Sequence, residues 1–283
     1  MTAIDEHTAK EGRRIVGYFL LILPAVALGV LDMIWCDVSP VLWGQQIAAF
    51  VIFAWLAQPL RRAAGRFSPA VWSVLLLLPL AATLLGTEAG GARRWLDLGV
   101  FNVNAAILVL PAMLVMLGSV RCPWPVVLGA AAVLRFQPDL SQLSAFSAAA
   151  LVVLWRHRKN RLWSALSVFV LCALVIRCLG VPTAIEPAAH CEGVLITLGE
   201  RSWLLQAAGW IALAAIPAYW MYRFARRGKA GTLSLAVYYA VTILFTISGE
   251  YPVPFAGFGL SPIVGYCLAY AACGAAQKDR NAI

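Results

Sequence analysis

The sequence predicts an all-α, polytopic integral membrane protein. Of its 283 residues, 62% are hydrophobic and only 12% are charged, and the mean hydropathy is +0.81. Soluble domains have about 45–50% apolar and about 25% charged residues. The apolar residues also stand in continuous runs, as expected for helices of about 20 residues that cross the hydrocarbon core of a bilayer. This composition excludes an ordinary soluble enzyme and leaves no room for a second, soluble domain.

Ten apolar runs, each bounded by charged residues, Pro or Gly, are the candidate spans. The fifth and sixth runs are short and meet at Pro138 and Asp139, where Pro ends one helix and Asp can cap the next. We therefore expect about ten transmembrane helices, or eight if the two short runs form a re-entrant hairpin. The runs cover residues 15–35, 41–59, 69–86, 102–120, 123–136, 142–155, 162–179, 191–222, 232–249 and 258–276.

Basic residues lie in short clusters between the runs, a distribution typical of cytoplasmic loops. With the N-terminus inside, seventeen of the 22 Lys and Arg residues fall on the cytoplasmic side and five fall outside or in the outer half of the membrane. Both termini are therefore predicted to be cytoplasmic, with residues 1–14 and 277–283 as tails and 15–276 as one transmembrane domain. The net charge of +9 does not favour nucleic-acid binding, because the basic residues of the chain lie in the loops between the apolar runs. Residues from 15 onward are expected to form a retained first helix rather than a signal peptide.

Cysteine spacing argues against metal and redox chemistry. The seven cysteines stand singly in or beside apolar runs, and none forms a C-x-x-C or C-x-x-H pair. Glycine-rich nucleotide loops and zinc signatures are absent from the sequence as well. We therefore expect no cofactor and no metal site, although a divalent cation on a phosphorylated substrate remains compatible with the sequence.

Polar residues collect in four segments between the runs. These segments are Gly91-Ala92-Arg93-Arg94-Trp95-Leu96-Asp97-Leu98-Gly99, Gln137-Pro138-Asp139-Leu140, Pro187-Ala188-Ala189-His190-Cys191-Glu192 followed by Gly199-Glu200, and Val253-Pro254-Phe255-Ala256-Gly257-Phe258-Gly259-Leu260-Ser261. In this order, and at these places in the topology, they resemble motifs of the SEDS family of polytopic membrane proteins, the FtsW, RodA and SpoVE group. The resemblance covers roughly residues 15–276.

The resemblance implies a peptidoglycan glycosyltransferase. Members of the family polymerise glycan strands from lipid II, an undecaprenyl-pyrophosphate-linked disaccharide, in cell division or cell-shape maintenance. An inverting enzyme in the bacterial inner membrane is implied, with an active site that faces the periplasm. The implied partner is a class B penicillin-binding transpeptidase.

Three departures from the family pattern bear on that expectation. The large outer loop between spans seven and eight is mostly missing. The family's Q-P-S-E after the Arg-Arg-Trp loop reads Asn104-Ala105-Ala106-Ile107, so that the acid of this motif is missing. The family's aspartate in the third motif is Glu192 here, which keeps the carboxylate but carries it one methylene further out. Two other functions therefore stay open, a non-catalytic scaffold of the same family and a flippase or transporter of lipid-linked precursors.

Chemistry and resemblance together assign candidate roles. Glu192 is the candidate base that takes a proton from the acceptor hydroxyl, and an acid placed for the helix dipole is its structural alternative. Arg93 and Arg94 suit the donor pyrophosphate, because guanidinium groups bind phosphate with two N–H donors, and Trp95 suits a sugar. An interfacial Arg/Trp anchor is the structural alternative for these three residues. Arg177 is a second candidate for the phosphate.

The remaining candidates are expected around this centre. Asp139 is either a helix cap or a substrate contact, and Glu200 is expected about 13 Å into a helix that starts near Cys191, facing protein with an ionic partner. The Pro- and Gly-rich fourth segment is expected to fold back toward a polar cavity. The further substrate-binding candidates are His190, Pro254, Phe255 and Ser261.

Overall fold

The computed structural model describes residues 15–86, 88, 91–99, 102–156, 161–179, 181, 188–249 and 251–278. The predicted tail 1–14 and residues 279–283 of the predicted tail 277–283 lie outside these residues, as do Pro187 and the basic loop residues 158 and 159. The last helix reaches Lys278, two residues into the segment expected as a tail.

Each of the ten apolar runs contains helix. The helices are α1 (Leu23–Trp35, preceded by helical residues 15–20), α2 (Pro40–Ala64), α3 (Pro69–Leu75), α4 (Leu77–Ala82), α5 (Ala105–Leu117), α6 (Trp124–Phe136), α7 (Leu140–Arg156), α8 (Arg161–Leu179), α9 (Val194–Arg201), α10 (Trp203–Arg227), α11 (Ala230–Phe245) and α12 (Ser261–Lys278). Short 3₁₀ turns follow α4 at Thr83–Leu85 and α11 at Thr246–Ser248.

Four helical segments of the described chain are long and apolar enough to cross a bilayer by themselves: Pro40–Ala64, Arg161–Leu179, Trp203–Arg227 and Ala230–Ser248. Six shorter apolar helices accompany them. The short helices are compatible with spans that are broken or completed by neighbouring turns. The count of ten spans and the cytoplasmic termini remain predictions.

The sequence predicted one helix for the third run, but the structure has two helices and a 3₁₀ turn there. The break between α3 and α4 falls at Leu76. Pro79 lies three residues beyond it and has no N–H to donate to the carbonyl of Leu75, so the helical hydrogen-bond ladder is interrupted there. This break turns the end of the run toward the short 3₁₀ segment and the hairpin that follows.

The eighth run also breaks, and this corrects the prediction for Glu200. Helix begins at Val194 rather than near Cys191, and extended backbone at Ser202 (φ −165°, ψ 128°) separates α9 from α10. Ser202 caps α10 because its Oγ accepts a hydrogen bond from the N–H of Leu204 at 3.3 Å. Glu200 therefore lies exposed at the end of a short helix, and it has no ionic partner among the described residues.

α5 forms the centre of the bundle. Ten of its thirteen residues are at most 4% exposed, and it packs along α12, where Gly265 brings the two backbones together. A Cβ on Gly265 would stand 2.3 Å from the carbonyl oxygen of Ile107, so only glycine permits this approach. α11 packs on α7, where the hydroxyl of Ser234 donates to the carbonyl oxygen of Ala149 at 2.7 Å.

A buried pair of tyrosines joins the beginning of the chain to its last helix. The rings of Tyr18 and Tyr266 stack at 4.0 Å, and each hydroxyl donates to the other residue's carbonyl oxygen, at 3.0 and 3.2 Å. Tyr18 also meets Trp220 of α10 edge to face at 5.5 Å. Because each of these two buried hydroxyls has an acceptor, the tyrosine pair gains its packing without an unsatisfied hydroxyl, whereas the ring N–H of Trp220 is buried and has no hydrogen-bond partner among the described residues.

One small sheet stands outside the helices and was not predicted. Strands β1 (Trp95–Asp97) and β2 (Asn102–Asn104) pair antiparallel, with Trp95 opposite Asn104. Gly99 has a positive φ of 82° and donates its N–H to Oδ1 of Asp97 at 2.7 Å, which starts the turn. Asn104 ends the hairpin and caps α5, since its Oδ1 accepts from the N–H of Ile107 at 3.2 Å.

Candidate functional site

A cavity of ≈ 190 Å³ lies where one end of the bundle meets the hairpin. The first turns of α5, α7 and α12 form part of its wall, and the hairpin with Arg94 before it, the turn before α9 and the segment 252–260 form the rest. Four of the predicted motifs therefore converge on one space. Its lining residues are Arg94, Trp95, Asn102, Asn104, Ile107, Asp139, Ser141, Gln142, Cys191, Glu192, Pro252, Val253, Gly257, Phe258, Gly259, Ser261 and Pro262.

Glu192 lies in the tight turn that leads into α9. The carbonyl oxygen of Ala188 accepts from the N–H groups of Cys191, Glu192 and Gly193 at 3.0–3.1 Å. In return the N–H of Ala188 donates to Oε2 of Glu192 at 2.9 Å. The carboxylate therefore holds its own turn closed and is half-buried at the cavity wall.

Cys191 stands beside this carboxylate. Its thiol donates weakly to the carbonyl oxygen of Phe258, with 3.6 Å between sulfur and oxygen. Burial raises the pKa of the Cys191 thiol, and the neighbouring charge and hydrogen bond of Glu192 raise it further. The thiol is thus kept protonated, which makes it a structural contact and a poor nucleophile.

The segment 252–260 folds back against the same turn, as the sequence predicted. The N–H of Val253 donates to the carbonyl oxygen of Cys191, and the N–H of Phe258 donates to that of His190, both at 3.0 Å. A Cβ on Gly257 would stand 2.5 Å from the carbonyl oxygen of Cys191, so glycine is required where the two segments touch. These contacts place the fourth motif directly over the third.

Phe255 anchors the middle of this segment in the core. Its φ is 65°, unusual for a residue with a side chain, and its carbonyl oxygen accepts from Nε2 of Gln46 at 3.0 Å. Its ring is buried against Tyr239 and Tyr266. Pro254 and Phe255 therefore support the cavity from beneath and do not line it.

Arg94 and Asp139 form a buried ion pair at the cavity wall. Arg94 Nε lies 3.4 Å from Asp139 Oδ2, and the two side chains are only 8% and 3% exposed. Arg94 Nη2 also donates to the carbonyl oxygen of Pro138 at 3.0 Å. Oδ1 of Asp139 accepts from the hydroxyl of Ser141 and the N–H of Gln142, both at 3.2 Å, so Asp139 caps the start of α7.

The structure brings five of the sequence-predicted site residues to the cavity. They are Glu192, Arg94, Trp95, Asp139 and Ser261, and the Oγ of Ser261 accepts from the N–H of Asn104 at 2.9 Å. His190 lies just outside, with its ring 6.2 Å from that of Phe258.

Besides His190, Pro254 and Phe255, three further predicted residues do not line the cavity. Arg93 pairs with Glu88 at 3.1 Å on the surface, where the side chains are 48% and 54% exposed, and donates to the carbonyl oxygen of Leu84. Arg177 is exposed near the end of α8, and Glu200 is exposed at the end of α9. The two neighbouring arginines of the first motif therefore have different surroundings.

Polar cavity residues that the sequence did not single out include Gln142 and Asn102. Gln142 is 2% exposed, and its Oε1 accepts from the hydroxyl of Tyr238 at 2.6 Å. Asp32 of α1 was missed as well. It is fully buried, and its Oδ1 accepts from the hydroxyl of Thr197 of α9, behind the turn of Glu192. A carboxylate inside an apolar run is the signal that would have found it.

In the described part of the chain, no group of three or more His, Cys, Asp or Glu residues is placed to hold a metal ion.

Comparison with known proteins identifies the architecture. No protein-family model and no curated protein sequence matches the chain. Among solved structures, the rod shape determining protein RodA of Thermus thermophilus superposes with a TM-score of 0.63, covering 93% of this chain and 96% of RodA at 19% sequence identity. A RodA variant gives the same TM-score at 18% identity. The chain has the RodA fold.

A chain of a peptidoglycan synthase complex, which coordinates polymerization and crosslinking, also matches, with a TM-score of 0.61 and 18% identity over 93% of this chain and 97% of that one. The RodA fold confirms the all-α, multi-pass membrane architecture predicted from composition. It also confirms the resemblance to SEDS proteins that the four motifs indicated, at the level of the fold. The cavity lies where the motifs of that resemblance meet.

Proposed function

We propose that the protein is a membrane glycosyltransferase that polymerises peptidoglycan glycan strands from lipid II in division or cell-shape maintenance. One observation carries the proposal: in a chain with the RodA fold, the half-buried carboxylate of Glu192 and the guanidinium of Arg94 line the same cavity. A base and a phosphate-binding cation are the two groups that transfer from a pyrophosphate-linked donor requires.

In the proposed reaction, the acceptor hydroxyl oxygen attacks the anomeric carbon of the lipid-linked donor. The bond from that carbon to the pyrophosphate oxygen breaks, and the configuration at the carbon inverts. The hydroxyl proton goes to Glu192, and the pyrophosphate leaves with its negative charge facing Arg94. Asp139 would hold the guanidinium in position through the buried ion pair, and Trp95 would pack on a sugar. The cavity would face the periplasm, with a class B penicillin-binding transpeptidase as the partner.

The test is lipid II polymerisation by the purified protein, with and without a candidate transpeptidase, and with the products separated by glycan length. Glu192→Gln retains an acceptor for the N–H of Ala188 but cannot take a proton at working pH. Polymerisation should fall about 10²–10⁴-fold, the usual effect of removing a positioned general base. Glu200→Gln is the matched control, because it removes an exposed carboxylate from the end of α9, outside the cavity.

Two results would contradict the proposal. Wild-type rates in Glu192→Gln would remove this carboxylate from the mechanism, and an equal loss in Glu200→Gln would attribute the effect to charge alone. Glu192→Asp restores the acid that the family motif carries. Activity in Glu192→Asp at or above the wild-type rate would indicate a cavity shaped for the shorter acid.

A non-catalytic scaffold is the second candidate function, and the Glu192–Ala188 contact favours it. Because Oε2 closes the turn, the carboxylate has a structural role that needs no chemistry. A scaffold predicts that wild type, Glu192→Gln and Glu192→Asp are all inactive with a competent transpeptidase present. Lipid II translocation across vesicles without polymerisation would instead support a flippase.

A further inference from the structure

A second polar site lies at the other end of the bundle from the Glu192 cavity. Two adjoining cavities, of ≈ 40 and ≈ 20 Å³, share Arg223, Arg227 and Cys273 in their walls. Both sites touch α12: Pro262 lines the Glu192 cavity, and Cys273 lines this pair. Eleven residues of helix separate them, or about 16 Å at ~1.5 Å per residue.

Five cations line these two cavities, and none of the described lining residues is acidic. The cations come from the ends of α2, α7 and α10 and from the residue before α11: Arg61, Arg156, Arg223, Arg227 and Lys229. A phosphate bound between these side chains would be attracted by all five positive charges.

Tyrosines, which carry no charge, hold two of these arginines in place. Arg223 Nη1 donates to the hydroxyl of Tyr219 at 2.8 Å, and Arg61 Nη1 donates to that of Tyr270 at 3.0 Å. Each guanidinium also lies over the ring of its tyrosine, at 5.6 and 5.3 Å from the centroid. Nε of Arg223 is buried and has no hydrogen-bond partner. Uncharged groups therefore orient Arg61 and Arg223, and among the residues that the structure describes neither arginine forms an ion pair with a carboxylate.

The N-terminus of α11 opens into the larger cavity. Ala230, Gly231 and Thr232 line it, and Lys229 at the N-cap position provides no side-chain cap. The N–H groups of Thr232 and Leu233 already donate to the carbonyl oxygen of Lys229, so those of Ala230 and Gly231 precede the first helical hydrogen bonds. The helix dipole adds a partial positive charge there. A helix N-terminus beside arginines is a favourable place for phosphate.

Exposed aromatic residues put this end of the bundle at a membrane surface. Tyr222 is 58% exposed next to Arg223, and Trp155 is 69% exposed next to Arg156. Trp and Tyr concentrate where a bilayer meets water, and basic pockets between transmembrane helices bind phosphorylated lipid headgroups. The predicted threading puts these loops in the cytoplasm.

We propose that this basic cavity binds the phosphate group of an anionic phospholipid headgroup. The bound phosphate would accept hydrogen bonds from Arg223 and Arg227 and from the first N–H groups of α11. The acyl chains of the lipid would remain in the surrounding leaflet. Such a site ties the end of α10 to the start of α11 through the lipid. It does not depend on any chemistry in the Glu192 cavity.

The test is calorimetric titration of the whole protein in an uncharged detergent with dihexanoyl-phosphatidylglycerol. Dihexanoyl-phosphatidylcholine and inorganic phosphate are the comparison ligands. Phosphatidylglycerol should bind more tightly than phosphatidylcholine, more weakly as salt is added, and in competition with phosphate. Arg223→Gln with Arg227→Gln should weaken the binding at least ~10-fold, the usual effect of losing charge-assisted hydrogen bonds.

The matched control is Arg62→Gln with Arg226→Gln, which removes the same charge from exposed residues that do not line the cavities. This control should change the affinity less than about 2-fold, within the range of surface charges. Arg156→Gln tests the site through an exposed side chain whose loss should not disturb folding, and it should also weaken binding several-fold. Equal weakening in the two double variants would overturn the site. Phosphate binding with no response to phosphatidylglycerol would retain phosphate recognition but overturn the lipid as its source.

Discussion

The buried ion pair of Arg94 should contribute far more to stability than the exposed pair of Arg93, although the two arginines are neighbours in the sequence. Arg94→Gln leaves the carboxylate of Asp139, which is 3% exposed, without its cation. Removing one partner of a buried pair costs about 3–5 kcal/mol. Because this pair borders a cavity that water can enter, we expect a loss of unfolding free energy at the low end of that range, ~3 kcal/mol. Arg93→Gln breaks a pair that is about half exposed and should cost only ~0–1 kcal/mol.

A double-mutant cycle isolates the pair itself. Asp139→Asn retains Oδ1 as the acceptor for Ser141 and Gln142, so the cap of α7 survives while the charge is lost. Arg94→Gln with Asp139→Asn should therefore cost less than the sum of the two single changes, by ~1–3 kcal/mol. The corresponding cycle for Arg93 and Glu88 should show coupling below ~0.5 kcal/mol.

The assay is equilibrium unfolding of the purified protein in mixed detergent micelles, followed by circular dichroism. All variants are compared with wild type under one lipid and salt condition. Equal costs for Arg93→Gln and Arg94→Gln, or an additive cycle for Arg94 and Asp139, would refute the assignment of the pair as a structural link between the hairpin and α7.

Three further predictions follow from the fold and the site. Gly257→Ala should lower the melting temperature measurably, because its Cβ would stand 2.5 Å from the carbonyl oxygen of Cys191, whereas Gly44→Ala in open space should not. The pKa of the Cys191 thiol is raised, so Cys191 should be alkylated more slowly than the exposed Cys122. The alkylation rate of Cys191 should increase only as the pH rises above the ordinary thiol range, and Glu192→Gln should shift this pH dependence to lower pH. Because the folded protein holds the thiol proton of Cys191 more tightly than the unfolded chain does, the raised pKa stabilises the folded state at pH values below the thiol pKa of the unfolded chain. This contribution to stability is lost as the pH rises through the thiol pKa of the folded protein. Reporter fusions should signal the outside at Glu88 and the cytoplasm at three loops, Arg66, Arg158 and Lys229.

Much of the fold was predictable because the bilayer restricts the possible structures. Within a bilayer, a long apolar run can pair all its backbone N–H and C=O groups by forming a helix. Each of the ten runs does contain helix. The breaks in the third and eighth runs were less visible. The extended conformation at Ser202 depends on the packing of α9 and α10, and a serine within an apolar run gives only a weak local signal for it.

The site was predictable as a set of motifs but not as a set of contacts. Sequence reasoning gave Arg93 and Arg94 the same role, because adjacent arginines are equivalent until the backbone between them is known. Both arginines lie just before β1, where the structure places Arg94 beside Asp139 and Arg93 beside Glu88. Gln142 was missed because its burial depends on Tyr238, 96 residues further along the chain.

Glu192 links the stability of the site to its proposed chemistry. The turn of residues 188–193 is closed by the hydrogen bond from the N–H of Ala188 to Oε2, and segment 252–260 is in turn fixed by the carbonyl oxygens of His190 and Cys191. A carboxylate one methylene shorter starts further from Ala188, so Asp at this position would have to give up that bond or draw the turn inward. The longer acid therefore permits one side chain to close the turn and to line the cavity. If Glu192 is the base, as proposed, glutamate in place of the motif's aspartate would change how the base is held and would not remove it.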